Sequence, residues 1–270
     1  MSAAVMAEPG SWLHRTLAVF CALAVTLALF CFETKRPFWG GFALALLALK
    51  PPLLTVVILL GLWLMARRDW RGLGGIVTGG LTLLVIGLLQ DAQWVSKFMG
   101  AGGNLLSMRV GNQPTILSYT RLACGGEMGC AMTAYAGIAL LLVALFAVIL
   151  WKTQSRLNPL PAFSLALPLG VLLPPYIWSY DYTLLVIPIS YVAFELVRRR
   201  QNYLFATLFL LLLDGLALVG LVLFWMNPES TALTIQRDMW SIWTGFYVLA
   251  FSWWLVLRTP PATISEQANR

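Results

Sequence analysis

The sequence predicts an all-α fold, a polytopic membrane bundle of about eight transmembrane helices forming one domain over residues 1–270. Three observations carry this. The 270 residues are 60% hydrophobic and 11% charged, with mean hydropathy +0.80, whereas a soluble domain is about 25% charged. Apolar runs recur at the length of about 20 residues that a helix needs to cross the roughly 30 Å hydrocarbon core. Lys and Arg crowd into short segments between those runs, above all "ARRDWR" and "VRRRQ", as cytoplasmic loops do.

The first run, 12–32, follows "HRT"; its length and the lack of a small-x-small site before "ETKRP" make it a retained span rather than a signal peptide. The second, 38–66, is broken by "LKPP" at Lys50–Pro52. Broken spans are tolerated where protein or a water-filled cavity satisfies the freed backbone. The third covers 72–90 and the fourth 131–151. The fifth, 162–178, is short and ends at Pro174 and Pro175; the last three cover 182–198, 203–226 and 239–257.

Counting each run as a crossing sends Arg15, Arg67, Arg68, Arg71, Lys152, Arg156, Arg198, Arg199, Arg200, Arg258 and Arg270 to one face. It sends Lys35, Arg36, Lys97, Arg109, Arg121 and Arg237 to the other. The expected location is therefore the cell (inner) membrane, multi-pass, with both termini and a tail from about 258 to 270 cytoplasmic. The net charge of +7 follows from this distribution and calls for no nucleic-acid partner; the bilayer is the partner.

A segment of about 40 residues, 91–130, is too long for a simple connector and is expected on the outer face. In "WVSKFMGAGGNLLSMRV", Trp94, Phe98, Leu105 and Met108 recur at helical intervals with Lys97 and Arg109 off that stripe, as in an interfacial helix. In "GNQPTILSYTRL", Asn112, Gln113, Thr115 and Arg121 are candidate sugar or phosphate ligands; a solvated cap on the bundle is the alternative. Cys124 and Cys130 of "CGGEMGC" fall where a disulfide is chemically permitted, two free thiols being the alternative. Cys21 and Cys31 lie in the first span. With His14 as the one histidine, no metal-site spacing exists, and no cofactor is expected.

Two ionisable residues lie deep in predicted spans, Lys50 and Asp214. An isolated charge at mid-membrane costs about 2.5–3.5 kcal/mol on insertion scales. Counted along their spans they reach similar depth, so they are expected to pair or to share a polar cavity, with or without a catalytic part. In "PPYIWSYDYTLL", Tyr176, Trp178, Tyr180, Asp181 and Tyr182 are expected at the outer boundary, where aromatic rings are favoured. Asp181 reads either as a ligand or proton acceptor for a sugar hydroxyl or as the N-cap of the sixth span.

These stretches carry a family resemblance. "GGFALALLALKPPLL" resembles the Lys-Pro span of family 87 glycosyltransferases, and "PPYIWSYDYTLLVIPI" resembles their Pro-Tyr, Tyr-Asp and downstream Leu-Leu and Pro pattern. "GNQPTILSYTRL" is similar to their Asn-Gln-containing loop. The resemblance implies a GT-C type membrane transferase that moves a hexose, typically mannose, from a polyprenyl-phosphate sugar to an acceptor on the extracytoplasmic side. Basic and hydrogen-bonding groups would steady the leaving phosphate, with Lys50, Arg109 and Arg121 as candidates and Asn112, Gln113, Tyr176, Tyr180 and Tyr182 lining the donor. The family's catalytic Asp lies in a first outer loop near the start of an N-terminal half. Residues 1–37 hold no such loop, Glu33 being the one outer acid before Lys35. The resemblance thus covers the C-terminal part of the family fold, with Asp181 as the candidate base or a separate N-terminal half as partner. The alternative is a non-catalytic transporter or assembly subunit.

Overall fold

The computed structural model describes residues 11–97, 114–153, 157–177, 179–198, 203–226 and 231–258. Among the described residues the regular structure is helical: α1 (Ser11–Glu33), α2 (Pro37–Ala45), α3 (Leu54–Ala66), α4 (Trp70–Gln90), α5 (Ile116–Ala123), α6 (Met128–Lys152), α7 (Pro159–Leu172), α8 (Val186–Arg198), α9 (Tyr203–Met226) and α10 (Thr231–Arg258). Three of these, α1, α4 and α6, are each long and apolar enough to cross a membrane unaided.

The predicted break at Lys50 is present. Helix α2 tightens into a 3₁₀ turn over Leu46–Leu49, Lys50 is extended at φ −119° and ψ 99°, and Pro51–Leu53 form a second 3₁₀ turn before α3. The prolines cause this, because each lacks an N–H and biases the residue before it towards extended backbone.

Beyond the break, the path of the chain departs from expectation. Phe32, at the end of α1, lies against Gly40 near the start of α2 and Gly72 near the start of α4. It also meets Trp63, near the end of α3, edge to face with ring centroids 5.5 Å apart. The start of α2 and the end of α3 therefore share one end of the bundle, and residues 37–66 form a re-entrant hairpin. Helix α2 runs parallel to α4 in backbone contact. A Cβ on Gly41 would lie 1.9 Å from the Gly72 carbonyl oxygen, and one on Gly75 2.0 Å from that of Phe38. Small residues permit such close approach between helices in lipid, where van der Waals packing drives association.

The hairpin corrects the expected topology. Lys35 and Arg36 lie at the same end as Arg67, Arg68 and Arg71, not opposite them. From there α1 leads back to the far end at Ser11, while α10 arrives at the basic end: its Gly245 meets Leu172 at the far end of α7, and its Trp254 packs into the same cluster as Leu160, near the α7 start. The described chain thus begins and ends at opposite ends of the bundle. The expected topology counted residues 38–66 as a crossing, and hydropathy alone does not separate a crossing from a return.

The core joins α1, the hairpin, α6, α7 and α10 around Phe163, Trp63, Phe146 and Leu60. Helix α7 is its axis, with every residue from Ala162 to Leu172 buried. A Cβ on Gly170 would meet Val56 Cγ2 at 2.1 Å, so α3 and α7 are in near-backbone contact.

Candidate functional site

The central elements are short. Helices α3 and α7 have 13 and 14 residues, about 20 Å at 1.5 Å per residue. Those around them, α1, α6 and α10, have 23, 25 and 28. Where the central elements stop, two backbone breaks meet. One is the extended Lys50 of the hairpin tip. The other is the 3₁₀ segment Ser179–Leu185, which comes after Pro174 and Pro175 and touches α1, α7, α8 and α10.

Lys50 Nζ donates to Asp181 Oδ1 at this junction. Both residues are buried, with 4% and 1% of their surface exposed. Cys21 of α1 is close enough to feel both charges. From Cys21 to Glu33, at the basic end, is about 18 Å of helix, so the pair lies well away from the basic end. A lone charge at this depth is expensive; a pair that also bonds to neighbouring groups offsets much of that cost.

The structure therefore corrects two expectations. Lys50 pairs with Asp181, not Asp214, which is exposed on α9 among Leu210, Leu211 and Leu218. Counting depth along separate spans had no means of seeing that the chain reverses at Lys50. Asp181 also lies inside the bundle, in a 3₁₀ segment, and not at the boundary as the cap of the next helix.

Segment 114–123 covers the ends of the central elements. Thr115, fully buried, caps α5 by accepting from the Ser118 amide at 3.2 Å. Its own hydroxyl donates to the Pro175 carbonyl at 3.3 Å, and Tyr182 Oη donates to the Pro114 carbonyl at 2.9 Å. Tyr135 of α6 donates to the Leu173 carbonyl, at the end of α7. The Tyr119 ring meets Trp243 of α10 edge to face at 6.0 Å, and burial pushes its hydroxyl above the usual phenol value.

Of the residues expected to bind a donor, Lys50 and Asp181 come together, with Tyr182 next to Asp181 in the same 3₁₀ segment; Tyr176 is half-buried just after Pro175. Arg121 is half-buried in the last turn of α5. Arg109, Asn112, Gln113 and Trp178, with the side chain of Tyr180, lie outside the described residues. A disulfide joins Cys124 and Cys130 between α5 and α6, and Cys21 and Cys31 are free and buried. No group of metal-ligating side chains occurs among the described residues. Thr115, Ser118, Tyr119, Tyr135 and Trp243 were not singled out as a unit by sequence. The Thr-Ile-Leu-Ser spacing, a hydroxyl at the N-cap and another three residues later, was the available signal for α5.

The profile described as Glycosyltransferase family 87 matches residues 16–175. The matched region, more than half of the chain, contains Lys50 and α5 and stops before Asp181. No curated protein and no solved structure matches the chain.

Proposed function

Because the chain belongs to glycosyltransferase family 87, a family of membrane glycosyltransferases, we propose that the Lys50–Asp181 pair is the polar centre at which it handles a lipid-linked sugar donor. The observation that supports this reading is a buried cation and carboxylate held together by two backbone breaks at membrane depth. Intramembrane ionisable residues that face the protein interior mark functional sites by default.

The proposed donor is a polyprenyl-phosphate hexose, with mannose as the first sugar to test. Its lipid tail lies in the bilayer and its phosphate reaches Lys50. The ammonium is a compact cation suited to a phosphate oxygen, and in a site that excludes water such a contact is stronger than in solvent. When Lys50 turns to the phosphate, Asp181 is released to accept a hydrogen bond from a sugar hydroxyl or the proton of the acceptor. In the transfer, the acceptor oxygen forms a bond to the anomeric carbon while the bond from that carbon to the phosphate oxygen breaks. The electron pair leaves with the phosphate, the acceptor proton passes to a carboxylate, and the anomeric centre inverts. Tyr176, Tyr182 and Arg121 line the approach.

Orientation follows from charge. The end carrying Lys35, Arg36, Arg67, Arg68 and Arg71 is the cytoplasmic end by the positive-inside rule. The pair and α5 then lie in the extracytoplasmic half, the described chain begins outside, and it ends inside at Arg258. A further acid supplied by a separate N-terminal half would complete the site if Asp181 alone does not act as base.

The test is donor binding by the purified full chain in nanodiscs, followed with photoactivatable polyprenyl-phosphate mannose and polyprenyl-phosphate glucose. Binding should be saturable and lost in Lys50→Met/Asp181→Leu, a variant in which the pair is replaced and not broken. A folded double variant that captures donor as the parent chain does would make the pair structural and sink the reading.

A further inference from the structure

The opposite end of the bundle carries a second feature, unrelated to the Lys50–Asp181 centre. The turns closing α1 onto α2 and α3 onto α4 meet the start of α7 around a cavity of about 240 Å³. Lys35, Arg67 and Arg71 line it, Asp69 is the acid in its wall, and Phe32 and Trp63 are its aromatic part. Three cations thus line it with one carboxylate, and that carboxylate is engaged: Asp69 Oδ1 accepts from the Gly72 amide at 3.1 Å, capping α4. A second, Glu33, sits beside the cavity and is engaged too, its Oε1 accepting from the Leu160 amide at 3.3 Å at the start of α7.

The cations are held in different ways. Arg67 donates from Nη1 to the Leu157 carbonyl at 3.0 Å and stacks on Trp63, 5.0 Å from ring centre. One of its five N–H groups is used and the plane is fixed. Lys35 sits in a left-handed turn, φ 59°, and Arg68 of the other turn has φ 56°. Glycine or asparagine is the easier residue for that conformation, so both turns carry a basic side chain where backbone preference favours another residue. Lys35 and Arg71 are exposed, and neither is needed for a helix cap.

The cavity's depth in the membrane narrows its ligand. Trp39 and Trp70, 59% and 71% exposed, flank it, and exposed tryptophans on a membrane helix mark the headgroup level. An anion-binding recess at that level, floored by aromatic carbon and walled by cations, suits a phosphate ester. Basic pockets between helices on the cytoplasmic side are the usual places for acidic lipid headgroups.

We propose that this cavity binds a phosphate group, with Lys35 and Arg71 as its adjustable donors and Arg67 as its fixed one. The phosphate has two chemical sources, the headgroup of an anionic phospholipid in the cytoplasmic leaflet or a soluble phosphate, and the test separates them.

The purified full chain is reconstituted in phosphatidylcholine nanodiscs, and its retention of spin-labelled phosphatidylglycerol is measured against inorganic phosphate as competitor. Two surface cations are together worth about 25-fold, at roughly fivefold each. Lys35→Gln/Arg71→Gln should therefore weaken retention by at least about tenfold. Lys152→Gln removes an equally exposed charge outside the cavity and should leave retention unchanged. Retention that millimolar phosphate does not displace identifies the lipid as source. Retention that phosphate displaces, or phosphate protection of the fold without lipid retention, identifies the soluble anion. If Lys35→Gln/Arg71→Gln retains the lipid as well as the parent chain, or Lys152→Gln weakens it equally, only diffuse surface charge is acting and the site does not exist.

Discussion

Removing either member of the Lys50–Asp181 pair should be far more damaging than removing both. Lys50→Met leaves a carboxylate in an environment where Asp181 is 1% exposed. Asp181→Leu leaves an ammonium where Lys50 is 4% exposed. Breaking a buried pair costs about 3–5 kcal/mol, whereas replacing both charges by apolar groups of similar volume is often neutral or stabilising. Each single variant should therefore lose about 3–5 kcal/mol, and Lys50→Met/Asp181→Leu should return to within about 1 kcal/mol of the parent chain. The assay is unfolding of the purified protein in mixed micelles by titration with a denaturing detergent, read as a double-mutant cycle. If the singles lose less than about 1 kcal/mol, or if their losses simply add, the two charges are not coupled and no Lys50–Asp181 junction exists. Donor capture by the double variant then separates a structural pair from a functional one.

Three further outcomes rest on the geometry. Gly75→Ala and Gly41→Ala place a methyl within 2.0 Å of backbone oxygen between α2 and α4 and should cost about 1–3 kcal/mol, while Gly74→Ala and Gly80→Ala meet nothing within 4 Å and should gain up to about 1 kcal/mol; equal effects at all four positions would refute the glycine contact. Single cysteines at Thr34, Arg68 and Thr153 should react with an impermeant maleimide from the same side of a sealed vesicle, and labelling of Thr34→Cys and Arg68→Cys from opposite sides would restore a full crossing over 38–66. Asp214→Leu should make insertion of α9 easier by about 3 kcal/mol, and its effect should add to that of Lys50→Met within about 0.5 kcal/mol; a larger interaction term would mean that Lys50 and Asp214 are partners after all.

Much of the helix order was legible because hydrophobic length is a strong signal. The apolar runs become α1, α4, α6, α9 and α10 with ends displaced by a few residues, α10 starting earliest, at Thr231. The break at Lys50 was legible too, from two consecutive prolines after a lysine. The reversal was not, because a break says nothing about the direction of the chain beyond it. That direction depends on long-range contacts, Gly41 against Gly72 and Gly79 against Ala45. The spacing of Gly72, Gly75 and Gly79 in "GLGGIVTGG" was a trace of those contacts, visible but not attached to a partner. The site failed for the same reason. Pro174, Pro175 and four aromatic rings look like the edge of a membrane, and the short α7 brings that sequence to an edge inside the protein.

The hairpin also resolves a tension in the charge pattern. With 38–66 counted as a crossing, Lys35 and Arg36 sit opposite the cluster of Arg67, Arg68 and Arg71, and the asymmetry that sets orientation is diluted. With 38–66 returning to its own side, those five join Lys152, at the end of α6, Arg198, at the end of α8, and Arg258, at the end of α10. Towards the other end, the described residues leave Lys97, which pairs with Asp91 at 2.6 Å, Arg121 in α5, and Arg15 and Arg237 near the starts of α1 and α10. Hydropathy and helix packing are independent sources of information about the path of the chain. That the path fixed by glycine contacts also gathers the turn and helix-end cations on one side is an argument for the hairpin that uses none of the contacts from which it was drawn. It is also an argument about Lys50: the lysine that the hairpin carries away from the basic end is the one that meets a buried carboxylate at the tip.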